Sequence, residues 1–179
     1  MAAELLMLGD PRLRTPCVQI RDFEDDALKN EQAMLKETLH DFRRQNGFGR
    51  GIAAPQIGVL KQFIALSLSP LPEIMCNPRI YWSSPETFSM WDDCMSFPSL
   101  LVKLRRHVSI SVEFEDAAGS TQVMERLPQA HSELLQHELD HLVGILALDR
   151  AENVRNIITR LAYQQNPDYF RKQVDYVIQ

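Results

Sequence analysis

A short leucine-rich stretch in the second half of the chain, LLQHELDHLVG at residues 134–144, constrains the fold more than any other segment. Its apolar residues recur at the spacing of an amphipathic helix, so the stretch predicts a helix that packs against a core. His137 and His141 are four residues apart and therefore lie on one face of that helix, about one turn from each other. Two imidazoles at this spacing can bind one transition metal, so the stretch predicts a metal-binding helix.

Glu138 directly follows the first of these histidines. In zinc hydrolases with an H-E-x-x-H helix, the glutamate does not bind the metal but removes a proton from the water that the metal activates. The alternative is a solvated helix face that carries His137, Glu138 and His141 while the leucines form the core. Only five histidines occur in the chain, and finding two of them at ligand spacing around a glutamate favours the metal.

A third ligand is needed, because a catalytic metal centre usually has three protein ligands. No histidine follows His141, and Asp149 and Glu152 come only just beyond the predicted helix. Upstream, Cys94 lies in a polar, turn-rich segment, and a thiolate suits the same metals as imidazole does. Cys94 is therefore the best candidate for the third ligand.

The rest of the chain predicts an α+β fold, with small antiparallel or mixed sheets around the metal-binding helix and a helical C-terminal tail. Helices are predicted over 23–45, 132–146, 153–165 and 169–179, and short strands over 62–68, 74–82, 101–103, 108–115 and 122–127. The segment 49–56 contains two glycines and a proline, which excludes a regular helix or a central strand. With 179 residues and no repeat or long linker, we expect one domain spanning 1–179.

Charge and composition exclude several classes of partner. The net charge of −5 at pH 7 argues against a DNA-binding surface or a polybasic membrane patch. The first residues carry no basic leader followed by a long apolar run, so we predict no secretory signal and no membrane span. Three cysteines are too few for a disulfide framework and favour a reducing compartment. We therefore expect the protein in the cytoplasm or in an organelle.

Three segments, in this order, resemble the signature motifs of the peptide deformylase family. Residues 49–56, GRGIAAPQ, resemble its G-x-G-Φ-A-A-x-Q motif, and residues 92–96, DDCMS, resemble E-G-C-L-S. Residues 136–142, QHELDHL, resemble Q-H-E-x-D-H-L. The similarity spans most of the chain and is weakest beyond about residue 150.

The resemblance implies an enzyme that removes the formyl group from N-formylmethionyl peptides and releases formate. It implies one divalent metal ion, Fe²⁺ in the cell with Zn²⁺, Ni²⁺ or Co²⁺ as substitutes. Glu138 would be the general base and acid, while the Gln56 side-chain amide and the Met95 backbone N–H would stabilise the oxyanion. The metal ligands would be Cys94, His137 and His141.

The resemblance also implies a groove for an extended peptide, lined by Gly49, Arg50, Gly51 and Asp93. Glycines there let backbone groups approach the peptide closely. The partner would be an N-formylated nascent chain, met at the ribosome by a monomer or a weak dimer.

The chain departs from the family pattern around the predicted groove. Asp92 shortens a carboxylate that in the family pairs with an arginine, for which Arg106 is the best positional match. Asp93 puts a negative charge where the family has glycine, and Arg50 replaces a residue that is normally apolar. These two charges either pair with each other across the cleft, or together select a polar substrate, or are solvated loop charges.

Two other functions follow from these departures and from the helix itself. The first is a deformylase-like protein with an altered N-acyl substrate, or with weak activity and a peptide-binding role. The second is a peptidase of the helix-zinc type, which the lack of a downstream ligand disfavours. The intact ligand set and Glu138 favour the deformylase.

Overall fold

Two antiparallel sheets make up the strand-rich part of the computed structural model, which describes residues 2–178. The five-stranded sheet has the order β1-β2-β3-β6-β7, and the three-stranded sheet has the order β4-β5-β8. β1 is therefore an edge strand. The strands are β1 (Gly51–Ala53), β2 (Phe63–Leu66), β3 (Ile74–Ser83), β4 (Thr87–Asp92), β5 (Leu100–His107), β6 (Ile110–Glu115), β7 (Thr121–Met124) and β8 (Ile157–Thr159).

The long first helix, α1 (Asp26–Asn46), packs on the five-stranded sheet. It begins at Asp25, whose carboxylate accepts a hydrogen bond from the Ala27 N–H at 2.9 Å. It ends at Gly47, which has a left-handed φ of 76° that favours glycine. The sequence places the cap at Asp22 instead. That side chain accepts from the Glu24 N–H, outside the helix.

The central helix, α2 (Gln129–Leu142), contacts β1 and β2 of one sheet and β5 of the other. Ten of its fourteen residues are buried, so its polar face is enclosed as well as its apolar face. Leu134, Leu135 and Leu142 belong to a core cluster that also contains residues of β2 and β6. Burial of each such leucine stabilises the fold by about 1.5–3 kcal/mol. This enclosure fixes the position of the helix.

The C-terminal part differs from the predicted helical tail. Residues 157–159 form β8, which pairs with β5, because Ile157, Ile158 and Thr159 are β-branched residues that suit a strand. The α-helical structure here is limited, within the described residues, to two short helices, α3 (Arg160–Gln165) and α4 (Pro167–Arg171), and a 3-10 turn precedes β8 at Val154–Asn156. After α4 the chain makes a turn, and Tyr176 forms a parallel bridge with Met90 of β4.

The three-stranded sheet is larger than the sequence predicts. β4 was not predicted at all, although Phe88 and Met90 alternate inward from it. β5 extends well beyond the predicted 101–103, to His107. The fold class is nevertheless the predicted α+β arrangement of small antiparallel sheets with C-terminal helices. Within residues 2–178, no helix combines the length and apolar character needed to cross a membrane.

Candidate metal centre

The structure brings the three predicted ligands together. Cys94 lies in the loop after β4, and His137 and His141 project from consecutive turns of α2. His141 Nε2 is 3.4 Å from Cys94 Sγ and 3.2 Å from His137 Nε2. One ligand atom from each residue lies within 4.8 Å of the others. These residues are 2%, 7% and 1% exposed in chain order, so the predicted alternative of a solvated helix face is wrong.

The donor set fits a transition-metal ion. A thiolate with two imidazoles suits zinc and other borderline first-row metals rather than magnesium or calcium. His137 Nδ1 lies 2.9 Å from Asp92 Oδ2 and donates to this carboxylate, so the neutral ring would present the lone pair of Nε2 to a metal ion. His141 Nδ1 is buried and has no hydrogen-bond partner among the described residues. Both imidazoles therefore present Nε2 to the same point as the sulfur.

A buried network of charges supports this ligand pair. Arg106 Nη2 donates to Asp92 Oδ2 at 3.1 Å, which confirms the predicted pairing, and Arg106 Nη1 donates to Asp140 Oδ2 at 2.5 Å. Arg150 also pairs with Asp140. Burial would raise the pKa of Asp92, but His137 and Arg106 outweigh it and hold that pKa below its ordinary value. Asp92 is therefore ionised and able to accept from His137.

Glu138 directly follows the predicted ligand His137, and one oxygen of its carboxylate forms no hydrogen bond with the described residues. The residue is 3% exposed, and its Oε2 has no hydrogen-bond partner within residues 2–178. Burial raises the pKa of Glu138 to about 7, which suits a group that both takes and gives a proton near neutrality.

Gly51 provides the space for this carboxylate. A Cβ at position 51 would lie 2.6 Å from Glu138 Oε1, closer than real Cβ contacts allow. The predicted substrate-groove glycine therefore faces Glu138. Gly49 has a left-handed φ of 103°, which favours glycine for a different reason.

Gln56 is held in one orientation at the edge of the site. Its Oε1 accepts from the Ala53 N–H at 2.8 Å, and its Nε2 donates to Ser96 Oγ at 3.1 Å. The same Nε2 is 3.6 Å from Cys94 Sγ, so the amide donor faces this predicted ligand. Met95 is 4% exposed, and its side chain packs in the core cluster under α1. Its contribution to chemistry would therefore come from its backbone.

A cleft of about 590 Å³ opens onto these groups. All of the predicted catalytic and substrate residues line this cleft, together with two of the predicted metal ligands. These residues are Gly49, Arg50, Gly51, Gln56, Asp93, Cys94, Met95, His137 and Glu138. The third predicted ligand, His141, does not line the cleft. Residues that sequence reasoning missed also line it, chiefly Glu133 of α2 and residues of the C-terminal segment: Arg160, Tyr163, Val174, Tyr176 and Ile178.

The two unusual charges of the cleft do not pair with each other, contrary to the first of the predicted alternatives. Arg50 Nη2 is 2.7 Å from Glu133 Oε1, and Arg160 Nη2 donates to Asp93 Oδ2 at 2.9 Å. Burial raises the pKa of Glu133 to about 7 despite Arg50. Glu133 precedes His137 by four residues, so helical spacing could have identified it. Nothing in the sequence links Arg160 to Asp93, 67 residues earlier.

Comparison with known proteins gives one consistent result. A family model described as "Polypeptide deformylase" matches residues 2–156. The peptide deformylase of Thermotoga neapolitana is 32% identical over 154 residues, which cover 86% of this chain and 90% of that protein. The peptide deformylase of Brachyspira hyodysenteriae is 33% identical over 161 residues, covering 86% and 82%.

Solved structures agree with these relatives. The crystal structure of peptide deformylase from Thermotoga maritima matches with a TM-score of 0.77 and 31% identity over 86% of this chain and 99% of that one. A peptide deformylase from Synechococcus elongatus in complex with actinonin matches with a TM-score of 0.76 and 29% identity, covering 93% and 85%. The family model ends at residue 156, so the C-terminal segment that lines the cleft lies beyond it.

Proposed function

Because the chain belongs to the peptide deformylase family, we propose that Cys94, His137 and His141 bind its metal ion and that Glu138 transfers the protons of its reaction. The protein is a metal-dependent hydrolase that removes the N-formyl group from N-formylmethionyl peptides. One observation carries the residue assignment. The sulfur and the two Nε2 atoms converge next to a buried carboxylate that has an unpartnered oxygen.

The metal that we propose for the cell is Fe²⁺, with Zn²⁺, Ni²⁺ or Co²⁺ able to replace it. A thiolate and two imidazoles suit each of these ions, and carboxylate ligands, which magnesium prefers, do not belong to the set. When bound, the ion would act as a Lewis acid that activates water and polarises the formyl carbonyl.

The chain's own groups account for the proton transfers. The Glu138 carboxylate takes a proton from the attacking water and passes it to the departing amine nitrogen. The C–N bond of the formyl amide then breaks, giving formate and a free N-terminus. Burial raises the pKa of Glu138 above that of an ordinary glutamate, which suits a carboxylate that must also donate the proton it has taken.

Two donors would stabilise the oxyanion that develops on the formyl oxygen. Gln56 Nε2 is already directed toward Cys94 by the bond between its Oε1 and the Ala53 N–H. The Met95 backbone N–H, next to Cys94 in the chain, is the second. Removal of one such donor typically lowers kcat by about 10²- to 10³-fold.

The peptide would bind in an extended form along the cleft. β1 is an edge strand of its sheet, and such an edge can accept an added strand through backbone hydrogen bonds. Gly51 begins this strand and Gly49 lies two residues before it, so both leave room for a second backbone, while Arg50 and Asp93 line the same cleft. We propose that the enzyme meets nascent chains at the ribosome as a monomer or a weak dimer. Cys17, Cys76 and Cys94 are free thiols, which supports a reducing compartment such as the cytoplasm.

The test is formate release from a formyl-Met-Ala-Ser peptide by the metal-loaded protein. We expect formate from the wild-type protein and an activity about 10³-fold lower for Glu138→Gln, with its metal content retained. Glu113→Gln is the matched control, because Glu113 is an exposed residue of β6 that pairs with Arg79.

Full activity of Glu138→Gln would contradict the role of this carboxylate. A metal-loaded wild-type protein that releases no formate would indicate the weakly active, peptide-binding alternative. Cleavage of an internal peptide bond would indicate the peptidase.

A further inference from the structure

The deformylation reaction makes no use of the ion pair between Arg50 and Glu133 in the cleft wall. Their side chains are 19% and 1% exposed. Arg50 directly precedes Gly51, which faces the Glu138 carboxylate. Glu133 lies four residues before His137 on α2, so their Cβ atoms are about 5–6 Å apart. The pair therefore adjoins, along β1 and α2, the residues that carry the proposed chemistry, and it lines the same cleft.

An ion pair at this depth needs an explanation. Removal of two charges from water costs several kcal/mol per ion, and apolar residues of similar volume are often equally stable or more so. Arg50 and Glu133 also line the cleft that must admit the peptide, so their charges and hydrogen-bonding groups can contact the bound peptide. Stability alone therefore does not account for Arg50 and Glu133.

The donors of Arg50 are only partly used. A guanidinium has five N–H donors, and the contact with Glu133 occupies one Nη2 atom. No other partner of the Arg50 side chain occurs in the part of the chain that the structure describes. The partly exposed guanidinium is therefore available to a ligand, whereas the Glu133 side chain is only 1% exposed.

The charged residues that line the cleft limit which peptide side chains can bind next to Arg50. Glu133 already balances the charge of Arg50, and the carboxylate of Glu138 also lines the cleft, so a negatively charged side chain would add a charge that no free cation of the pair compensates. An apolar side chain would displace water from Arg50 and leave its donors without an acceptor, which carries a desolvation cost. A neutral side chain that ends in a strong acceptor avoids both penalties.

We propose that Arg50, held in place by Glu133, makes the enzyme prefer formylated peptides whose first side chain is neutral, about as long as methionine, and ends in a strong hydrogen-bond acceptor. The sulfoxide of oxidised methionine and the amide of glutamine belong to this class. The proposal deepens the proposed function and rests on it, since the scissile formyl group and the reaction stay the same.

The test compares peptides of the form formyl-X-Ala-Ser, in which X is norleucine, methionine, methionine sulfoxide, glutamine or glutamate. For the wild-type protein we expect kcat/KM to be about tenfold higher with methionine sulfoxide than with norleucine, because a hydrogen bond to a charged group is favourable. The double variant Arg50→Met/Glu133→Leu should reverse this order. Arg50→Gln, which cannot leave a buried positive charge, should also lose the preference and serves if the double variant does not fold.

Arg43→Met is the matched control. Arg43 lines the same cleft but hydrogen-bonds to Ser67, away from Glu133, so its removal should leave the sulfoxide preference intact. Equal or better use of norleucine by the wild-type protein, or an unchanged order in both Arg50 variants, would overturn the proposal.

A binding measurement separates this proposal from the proposed function. The dissociation constants of the same peptides are measured on metal-loaded Glu138→Gln protein, with and without Arg50→Gln. Tighter binding of the sulfoxide peptide that is lost with Arg50→Gln supports the specificity proposal even if the wild-type protein releases no formate. Formate release from all peptides with no such binding difference contradicts the specificity proposal and leaves the function standing.

Discussion

Among single residues, Asp92 has the most influence on the metal ligands. Its Oδ2 accepts from His137 Nδ1 and from Arg106 Nη2, so one oxygen sets the tautomer of a ligand and connects it to a buried cation. A shorter carboxylate than the family's glutamate still reaches both groups. Its negative charge also strengthens the basicity of the imidazole toward a cation.

We expect Asp92→Asn to lower metal affinity by about 10- to 100-fold, because a neutral amide polarises His137 less and can present either its donor or its acceptor. Competition with a chelator measures this affinity. Asp93→Asn is the control, since the Asp93 side chain pairs with Arg160 and, among the described residues, forms no hydrogen bond with the predicted ligands. Equal affinities in the wild-type protein and Asp92→Asn would show that the carboxylate does not tune the ligand.

Gly51 also affects the site, because the absence of a side chain there leaves space for the Glu138 carboxylate. Gly51→Ala would place a methyl group 2.6 Å from Glu138 Oε1, so the carboxylate must move. A displacement of about 1 Å can cost about a hundredfold in rate, and we expect a loss of that size in formate release. Metal content should be unchanged. Ser67→Ala, in the same cleft but away from Glu138, should retain activity, and equal activity of both variants would exclude the steric role of Gly51.

At the level of elements, β5 and α2 are joined by Arg106. β5 alternates, so Arg106 is 3% exposed while Arg105 next to it is exposed. Arg106 contacts carboxylates from two elements, Asp92 at the end of β4 and Asp140 on α2.

Arg106→Met should lower the free energy of unfolding of the metal-free protein by about 3–5 kcal/mol, because it leaves buried carboxylates without their partner. Urea unfolding measures the loss. Arg105→Met is the matched control on the same strand, and we expect a change within about 0.5 kcal/mol. Similar values for both variants would mean that the buried network contributes little to stability.

The sequence predicts an element well when the element depends on residues within the same segment, and poorly when it depends on a partner far away in the chain. α1 and α2 were predicted because helical periodicity is a property of the segment itself. β8 was predicted as helix, because a three-residue strand depends on its partner β5, which lies far away in the sequence. The wide burial of α2 also follows from contacts with both sheets rather than from its own pattern.

The same distinction holds within the site. The positions of His137, Glu138 and His141 follow from spacing on one helix, and Cys94 from its chemistry and the resemblance. The partners of Arg50 and Asp93 could not be predicted, since each pair joins side chains from elements that meet only in the folded chain. Burial of Glu133 likewise depends on the packing of the cleft.

In the whole molecule, the proposed metal centre lies between α2 and the three-stranded sheet. Cys94 follows β4 of that sheet, whereas both histidines belong to α2, which packs on β1 and β2 of the five-stranded sheet and on β5 of the three-stranded sheet. A bound ion would therefore connect the loop after β4 to the central helix.

Removal of the metal should lower Tm. An ion at about 1,000 times its Kd stabilises the folded state by about 4 kcal/mol, and for a domain of this size each kcal/mol shifts Tm by about 2–4 °C. We therefore expect a decrease of about 10 °C on chelation, measured by calorimetry. Cys94→Ser, which lacks the bridging thiolate, should respond far less. An identical Tm with and without chelator in the wild-type protein would contradict a structural contribution of the ion.

The position of Cys94 in the loop after β4 and of the two histidines on α2 has a consequence in the cell. Proteases act on chains in proportion to how often these open, so molecules synthesised during a shortage of the metal would be degraded sooner than loaded ones. The steady-state amount of this protein would then track the supply of metal, even with its transcription unchanged.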